Sequence, residues 1–426
     1  MKRFFFIFIM FSIFSGSLFS APGHLLWRYK TGAAVRSSPL ISDRVVYVGS
    51  EDAYLYAINS VSGSLKWRYQ TGGTISYSSP CIANGVVYIG SMDHYLHAIN
   101  CSDGTPKWKY QTGNLVISSP CIADNVVYIG SYDHYLYAVN SSDGSLKWRY
   151  QTGDYISSSP CVSDGVVYVG GWDRYIYAIN CSDGALKWRY WIGIWIYSSP
   201  CITEGVEYIG STDYYLYAMN ISDGSLKWRY RTSNWNTYSS ACVSNGIVYI
   251  GSSNYYLYAV NCPDGTLKWS YHTDYDVDSS PCVEDGVVYV GSNDRYLYAM
   301  DALDGTLEWR YQTGNYVYSS PCVLDGVVYV GSRDTYLYAI ETFGYSGYKR
   351  NNFSSNLPSP SFSISPNPFS SSITVSLPSS GAIYSLTGQL IMKLDKGKHS
   401  LDTSKWREGV YIVKSSMECK RVVKVR

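Results

Sequence analysis

The chain has 426 residues, 46% of them hydrophobic and 16% charged, with a formal net charge of +1. That length and apolar content exclude a mainly disordered chain, and near-neutrality without a basic stripe argues against a nucleic-acid partner. The 45 tyrosines suit strands and half-wet surfaces, so an all-β protein is the first expectation.

The chain opens with Lys2 and Arg3, an apolar stretch from Phe4 to Phe14, and a small-residue stretch from Ser15 to Ser20. Residues 1–20 therefore read as a secretory signal peptide, too short to hold a place across a bilayer. The first cysteine is Cys81, so no lipid attachment is expected at the cleavage region. No later stretch is apolar enough for a transmembrane segment.

From residue 24 to residue 341 one unit recurs eight times, at intervals of 40 or 41 residues. Each unit holds four short runs. Ser-Ser-Pro-Cys-Val/Ile leads through an Asx-Gly turn into Val-Val-Tyr-Val/Ile-Gly-Ser. Tyr-Leu-Tyr-Ala-Ile-Asn follows, then a Ser-Asp-Gly turn and Leu-Lys-Trp-Arg-Tyr-Gln-Thr. The runs have strand length, and the turns carry residues that tolerate positive φ. Four strands per unit at this period predict an eight-bladed β-propeller. The repeat region starts with a fourth run, Leu25–Thr31, and ends with a third run, Tyr336–Ile340. The N-terminal strand is thus expected to complete the last blade and close the ring.

The stretch Gly130-Ser131-Tyr132-Asp133, Leu136-Tyr137-Ala138-Val139-Asn140, Asp143-Gly144 and Leu146-Lys147-Trp148 resembles the repeat of the pyrroloquinoline-quinone-like (PQQ-like) propellers. The resemblance implies that Trp27, Trp67, Trp108, Trp148, Trp188, Trp228, Trp269 and Trp309 dock adjacent blades. The family usually has Gly after the Asp of the second loop. Here Ala53, His94, His134, Arg174, Tyr214, Tyr255, Arg295 and Thr335 stand there.

Residues 342–361 are rich in Ser, Asn, Pro and Gly and read as a linker. Residues 362–426 carry strand-like runs with Pro366-Asn367-Pro368, Tyr384-Ser385-Leu386-Thr387-Gly388-Gln389, Gly409-Val410-Tyr411-Ile412-Val413 and Lys420-Arg421-Val422-Val423-Lys424. These resemble the C-terminal sorting domain of type IX secretion, found in Bacteroidetes. That resemblance implies a small β-sandwich, a partnership with the type IX machinery, and export to the exterior or the outer cell surface.

Seven of the eleven cysteines share one slot, from Cys81 to Cys322, where the first copy has Leu40. An apolar packing role follows. The Asp recurring from Asp52 to Asp334 is replaced by Asn254 in one copy, which fits a turn residue better than a catalytic carboxylate. Quinone dehydrogenases that this fold resembles carry a Cys-Cys pair and a calcium site. No Cys-Cys dipeptide occurs here, so neither a metal nor a cofactor is expected, and PQQ with calcium is kept as the alternative reading.

Variation between copies concentrates in the connections after runs two and four. In an up-and-down blade both emerge on one face. The candidate ligand-binding residues there are Tyr132, Tyr155, Trp172, Arg174, Trp191, Trp195, Trp235, Asp274, Tyr275, Asp276, Arg295, Tyr316 and Arg333. No catalytic residue is identified. The sequence reads as a secreted, non-catalytic binding or scaffold propeller that recognises a protein or glycan; a PQQ-dependent oxidoreductase is the competing reading. A relative of the lipid-anchored outer-membrane assembly propellers is a third reading, opposed by the missing lipid-site cysteine and the export tail.

Overall fold

The computed structural model describes residues 22–232 and 238–342, and the strands between residues 363 and 424. The expected signal peptide (1–20), nearly all of the expected linker (342–361) and Trp235 lie outside the described residues. Among the described residues no helix is long and apolar enough to cross a membrane.

Residues 25–341 form eight antiparallel four-stranded sheets. Blade 2 shows the pattern: Cys81–Ala83, Val86–Gly90, Tyr95–Asn100 and Pro106–Gln111, in sheet order. Blades 1 and 3–7 begin at Leu40, Cys121, Cys161, Cys201, Cys242 and Cys282. Blade 8 takes its outer strand, Leu25–Lys30, from the start of the repeat, paired antiparallel with Tyr336–Glu341. The three-residue first strands of consecutive blades lie next to one another, including Leu40–Ser42 beside Cys322–Leu324. They therefore line the central axis.

The second strand is buried on both faces and the third nearly so, because neighbouring blades cover them. Val45, Tyr47, Leu55 and Ala57 of blade 1 pack against Val87, Ile89 and Ile99 of blade 2. Register explains the repeated alanine. Tyr88 opposes Ala98, which opposes Trp108, and the tyrosine and tryptophan rings meet across the alanine at 5.7 Å. Gly90 ends the second strand because a Cβ there would lie 2.6 Å from Val116 of the next connector.

Blades are joined by directed hydrogen bonds. Trp67 Nε1 donates to Cys101 O of the next blade (3.0 Å) and Trp27 Nε1 donates to Ser60 O (2.8 Å). The same donation recurs for Trp108, Trp148, Trp188, Trp228, Trp269 and Trp309. Around the axis each second serine of Ser-Ser donates its amide to the hydroxyl of the next, from Ser38 to Ser79 (2.9 Å) onward. Ser320 donates back to Ser38 (3.0 Å), so the ring is complete.

One core position breaks the pattern. Glu207 stands in a second strand where the other copies have Val, and it is 0% exposed. Both its carboxylate oxygens lack a partner, and burial pushes its carboxyl up to about 8.

The C-terminal unit contains two antiparallel sheets. One joins Ser363–Ser365, Ser372–Leu377 and Gly397–Asp402. The other joins Leu390–Leu394, Gly381–Ser385, Gly409–Ser415 and Cys419–Lys424, with Ile383 and Leu394 buried.

Candidate functional site

The connections after the second and outer strands share the upper face of the ring, and the recurring aspartate ties them together. Asp133 Oδ2 accepts from Gly113 N of the preceding connector (2.6 Å), and its Oδ1 accepts from Tyr135 N (3.1 Å). Asp52, Asp93, Asp173 and Asp334 make the same amide bond to Gly32, Gly72, Gly153 and Gly314. Asn254 still accepts from Tyr256 N (3.3 Å), while its amide donates to Thr232 O (3.1 Å). The aspartate is thus a clamp between loops, which is the turn-residue role expected.

The residue after the clamp is left-handed in every blade. Ala53, His94, His134, Arg174, Tyr214, Tyr255, Arg295 and Thr335 have φ between 68° and 78°. That conformation costs an L-residue with a Cβ roughly 1–2 kcal/mol. Backbone strain repeated at eight loop positions on one face points to display of side chains rather than to economical folding.

A second set of residues emerges only in three dimensions. The residue before each Ser-Ser and the residue before each clamp lie on one blade. Arg36 Nε sits 3.0 Å from Glu51 Oε1, an ion pair too bent for a hydrogen bond. Trp172 Nε1 donates to Ser157 Oγ (2.7 Å). Asn293 Nδ2 donates to Asp278 Oδ2 (2.7 Å). The Arg333 guanidinium lies 5.8 Å from the Tyr318 ring. These residues border the mouth of the axis, because the Ser-Ser that follows each first partner belongs to the axial ring.

One side of this mouth is aromatic. The Tyr132 and Tyr155 rings stack at 4.6 Å, and the Trp172 ring stands edge-on to both, at 5.5 and 5.3 Å. Trp172 continues to Trp195 (6.0 Å) and Tyr197 (4.9 Å), and Tyr197 continues to Tyr238 (4.9 Å). Burial and the neighbouring phenols push the Tyr132 hydroxyl up to about 12, so it is a neutral donor at physiological pH. Trp195 is 48% exposed and offers an open ring.

The other side is charged. Arg36 donates to Tyr77 Oη (2.6 Å), and its guanidinium lies over the Tyr77 and Tyr318 rings at 5.4 and 5.1 Å. Ser253 Oγ donates to Asp278 Oδ1 (3.1 Å). Burial raises Asp278, and burial together with that neighbouring carboxylate pushes Asp276 up to about 6. Beside them on blade 7, Asp274, Tyr275, Arg295 and Tyr316 line an open recess of about 360 Å³. The Tyr275 ring is near-parallel to those of Tyr255 (5.5 Å) and Tyr316 (6.0 Å) and stays 44% exposed.

The candidate residues therefore fall into an arc (Tyr132, Tyr155, Trp172, Trp195) and a recess (Asp274, Tyr275, Arg295, Tyr316), with Asp276 and Arg333 beside the recess. Two stand elsewhere. Trp191 ends the outer strand of blade 4, 58% exposed, and folds over Gly193. Arg174 is the left-handed residue of blade 4. The sequence reading passed over Arg36, Tyr77, Tyr197, Tyr238, Asp278, Asn293 and Tyr318 as site residues. For all but Asn293, which precedes a clamp, the signal was present as the one variable residue before each constant Ser-Ser.

The adjacent cysteine pair of the resembling dehydrogenases has no counterpart in this sequence. The axial cysteines come one per blade, and their thiols are raised mainly by burial, Cys121, Cys201 and Cys282 up to about 12. They are inert neutral thiols at physiological pH. Among the described residues no three His, Cys, Asp or Glu side chains are grouped to hold a metal ion.

Comparison with known proteins agrees with this architecture. A family model described as the β-propeller of the β-alanine-activating enzyme matches residues 78–342, and the chain belongs to that propeller family. A PQQ-like repeat model, described as outer membrane protein assembly factor BamB, matches residues 17–81. A secretion system C-terminal sorting domain matches residues 363–425. Among solved structures, BamB from Moraxella catarrhalis superposes with a TM-score of 0.65 at 17% identity, over 75% of this chain and 99% of BamB. The computationally designed Ika8 protein superposes at 0.68 with 14% identity, over 76% of this chain and all of Ika8. At such identities the likeness concerns the fold alone. No curated protein matches this sequence.

Proposed function

We propose that this protein is an exported, non-catalytic propeller that recognises a partner, protein or glycan, through its upper face, with the C-terminal unit serving as its address to the type IX machinery. One observation carries the reading. Eight left-handed positions that glycine would occupy at no cost instead display Ala, His, Arg, Tyr and Thr, all on the face that bears the aromatic arc and the recess. Recognition surfaces are rich in such aromatic and arginine side chains. The signal peptide would take the chain through the inner membrane, and the final location would be extracellular or on the outer cell surface. No metal or cofactor is required.

The test is a binding screen of the full chain against glycan arrays and the surface proteins of the producing cell. Variants Trp172→Ala and Trp195→Ala on the upper face are compared with Asp143→Ala and Asp183→Ala on the lower. Binding should fall at least tenfold for an upper-face variant and stay unchanged for the lower pair. Loss confined to the lower pair would overturn the assignment. Separately, truncation before residue 363 should leave the propeller inside the outer membrane; normal surface delivery would refute the address.

A further inference from the structure

The recess on blade 7 differs from its equivalents for a physical reason. In blades 3 and 4 the residue before the clamp is Tyr132 or Trp172, and its ring lies against a neighbouring connector's Tyr155 or Trp195. In blade 7 that residue is Asn293. It turns inward to donate to Asp278 Oδ2, and the upper face stays open there. The preceding connector also departs from the repeat, carrying Asp274 where most copies have Gly. Asp294, the clamp of this blade, is engaged by Tyr298 Oη (2.6 Å) and Asp274 N (3.1 Å) and is not free for a ligand.

Asn293 marks the site as unfinished. It is 2% exposed, it lines the recess, and its Oδ1 has no hydrogen-bond partner. An unpaired buried acceptor destabilises the fold unless something donates to it. Around it stand an acceptor (Asp274), a donor fork (Arg295) and an amide that can do either (Gln312), flanked by the Tyr275 and Tyr316 rings. Arg295 opposes a cationic ligand and Asp274 opposes an anionic one. A net-neutral ligand with hydroxyls on its edge and an apolar face satisfies all of them. The volume of about 360 Å³ falls within the usual range of small-molecule sites.

We infer that the blade 7 recess is a carbohydrate subsite. It takes one neutral sugar ring against Tyr275 and Tyr316, with Asp274, Arg295 and Gln312 reading its hydroxyls above the buried Asn293. This rests on the upper-face reading above and narrows it to a ligand class and a place.

The test titrates the full chain with a panel of neutral methyl pyranosides (gluco, galacto, manno and N-acetylglucosamine forms) by calorimetry, with choline and inorganic phosphate as charged probes. At least one glycoside should bind saturably. Tyr316→Ala and Gln312→Ala should weaken it at least tenfold at an unchanged melting temperature, and the lower-face Asp143→Ala should leave it intact. Asn293→Tyr, which puts there the ring that blade 3 carries at Tyr132, should cover the recess and abolish binding. If that variant unfolds, the two rim variants decide. Preference for choline or phosphate, or no saturable glycoside binding by folded protein, overturns the proposal. Glycoside binding lost in Trp172→Ala but kept in Tyr316→Ala also overturns it and leaves the upper-face reading standing. Binding that survives every upper-face variant overturns both.

Discussion

The two faces of this ring solve the same backbone problem in opposite ways. Both need left-handed residues to turn a chain sharply between strands. On the lower face they fall to Asx-Gly and similar pairs, such as Asn84-Gly85 (φ 51° and 72°) and Asp164-Gly165 (51° and 70°), which accept that geometry readily. On the upper face they fall to Tyr214 (78°), Thr335 (77°) and their equivalents, for which it is expensive. The lower face obeys local propensity except at Arg44 (60°) and Glu204 (50°), and its sequence varies less. The upper face departs from propensity in every blade and varies freely. Sites that break local rules while the scaffold around them keeps those rules are where function concentrates.

Both faces depend on a closed ring, so the largest effect tests closure. Deleting residues 21–33 removes the outer strand of blade 8 and exposes a sheet edge. The variant should lose its monomeric state in sedimentation; a monomer that melts like the wild type would show that closure is dispensable. Next come two substitutions of similar size and opposite sign. On the lower face, Gly104 has φ +76°, and a Cβ there would lie 2.7 Å from the Trp67 ring. Gly104→Ala should destabilise by about 3 kcal/mol through backbone strain and overpacking together.

Glu207→Val asks whether departures from the repeat in the core are tolerated liabilities. Its carboxyl is raised from 4.5 to about 8 in the fold. The folded state therefore holds its proton more tightly than the unfolded chain does. The ionisation penalty vanishes below about pH 4.5, leaving only the cost of a buried, unpartnered neutral carboxyl. The penalty grows as pH rises towards 8 and is constant above it. Near neutrality Glu207→Val should stabilise by on the order of 3 kcal/mol. Denaturant melts at pH 4, 7 and 9 should show the gap between variant and wild type widening with pH, and a pH-independent gap would contradict it. The smallest effect bears most directly on the two faces. Tyr214→Gly should raise stability by about 1 kcal/mol, as relief of a left-handed tyrosine requires. A loss of stability would mean that the tyrosine's contacts outweigh its strain.

The blades were legible in the sequence because their determinants are local and repeated. The Tyr–Ala–Trp register, the Asx-Gly turns and the phase of the first and last runs each occupy a few adjacent positions. The grouping of Tyr132 with Tyr155 and Trp172 was legible only as a shared face, since their meeting depends on connectors from different blades. The partnership of Asp278 with Asn293, and the recess it leaves, was not legible. It arises from one short side chain turning inward, which no spacing announces. Glu207 was visible as Glu among valines. Its complete burial without a partner followed only from the neighbouring blade.

The axial serines carry a consequence of another kind. Every amide in that ring donates in the same rotational sense, and every hydroxyl accepts from the blade before it. Each seam is therefore chemically the same as every other. A unit gained or lost by recombination between near-identical copies would meet a compatible neighbour on both sides. The chemistry of the axial joints does not count the blades; the number of repeats between the first and last runs does.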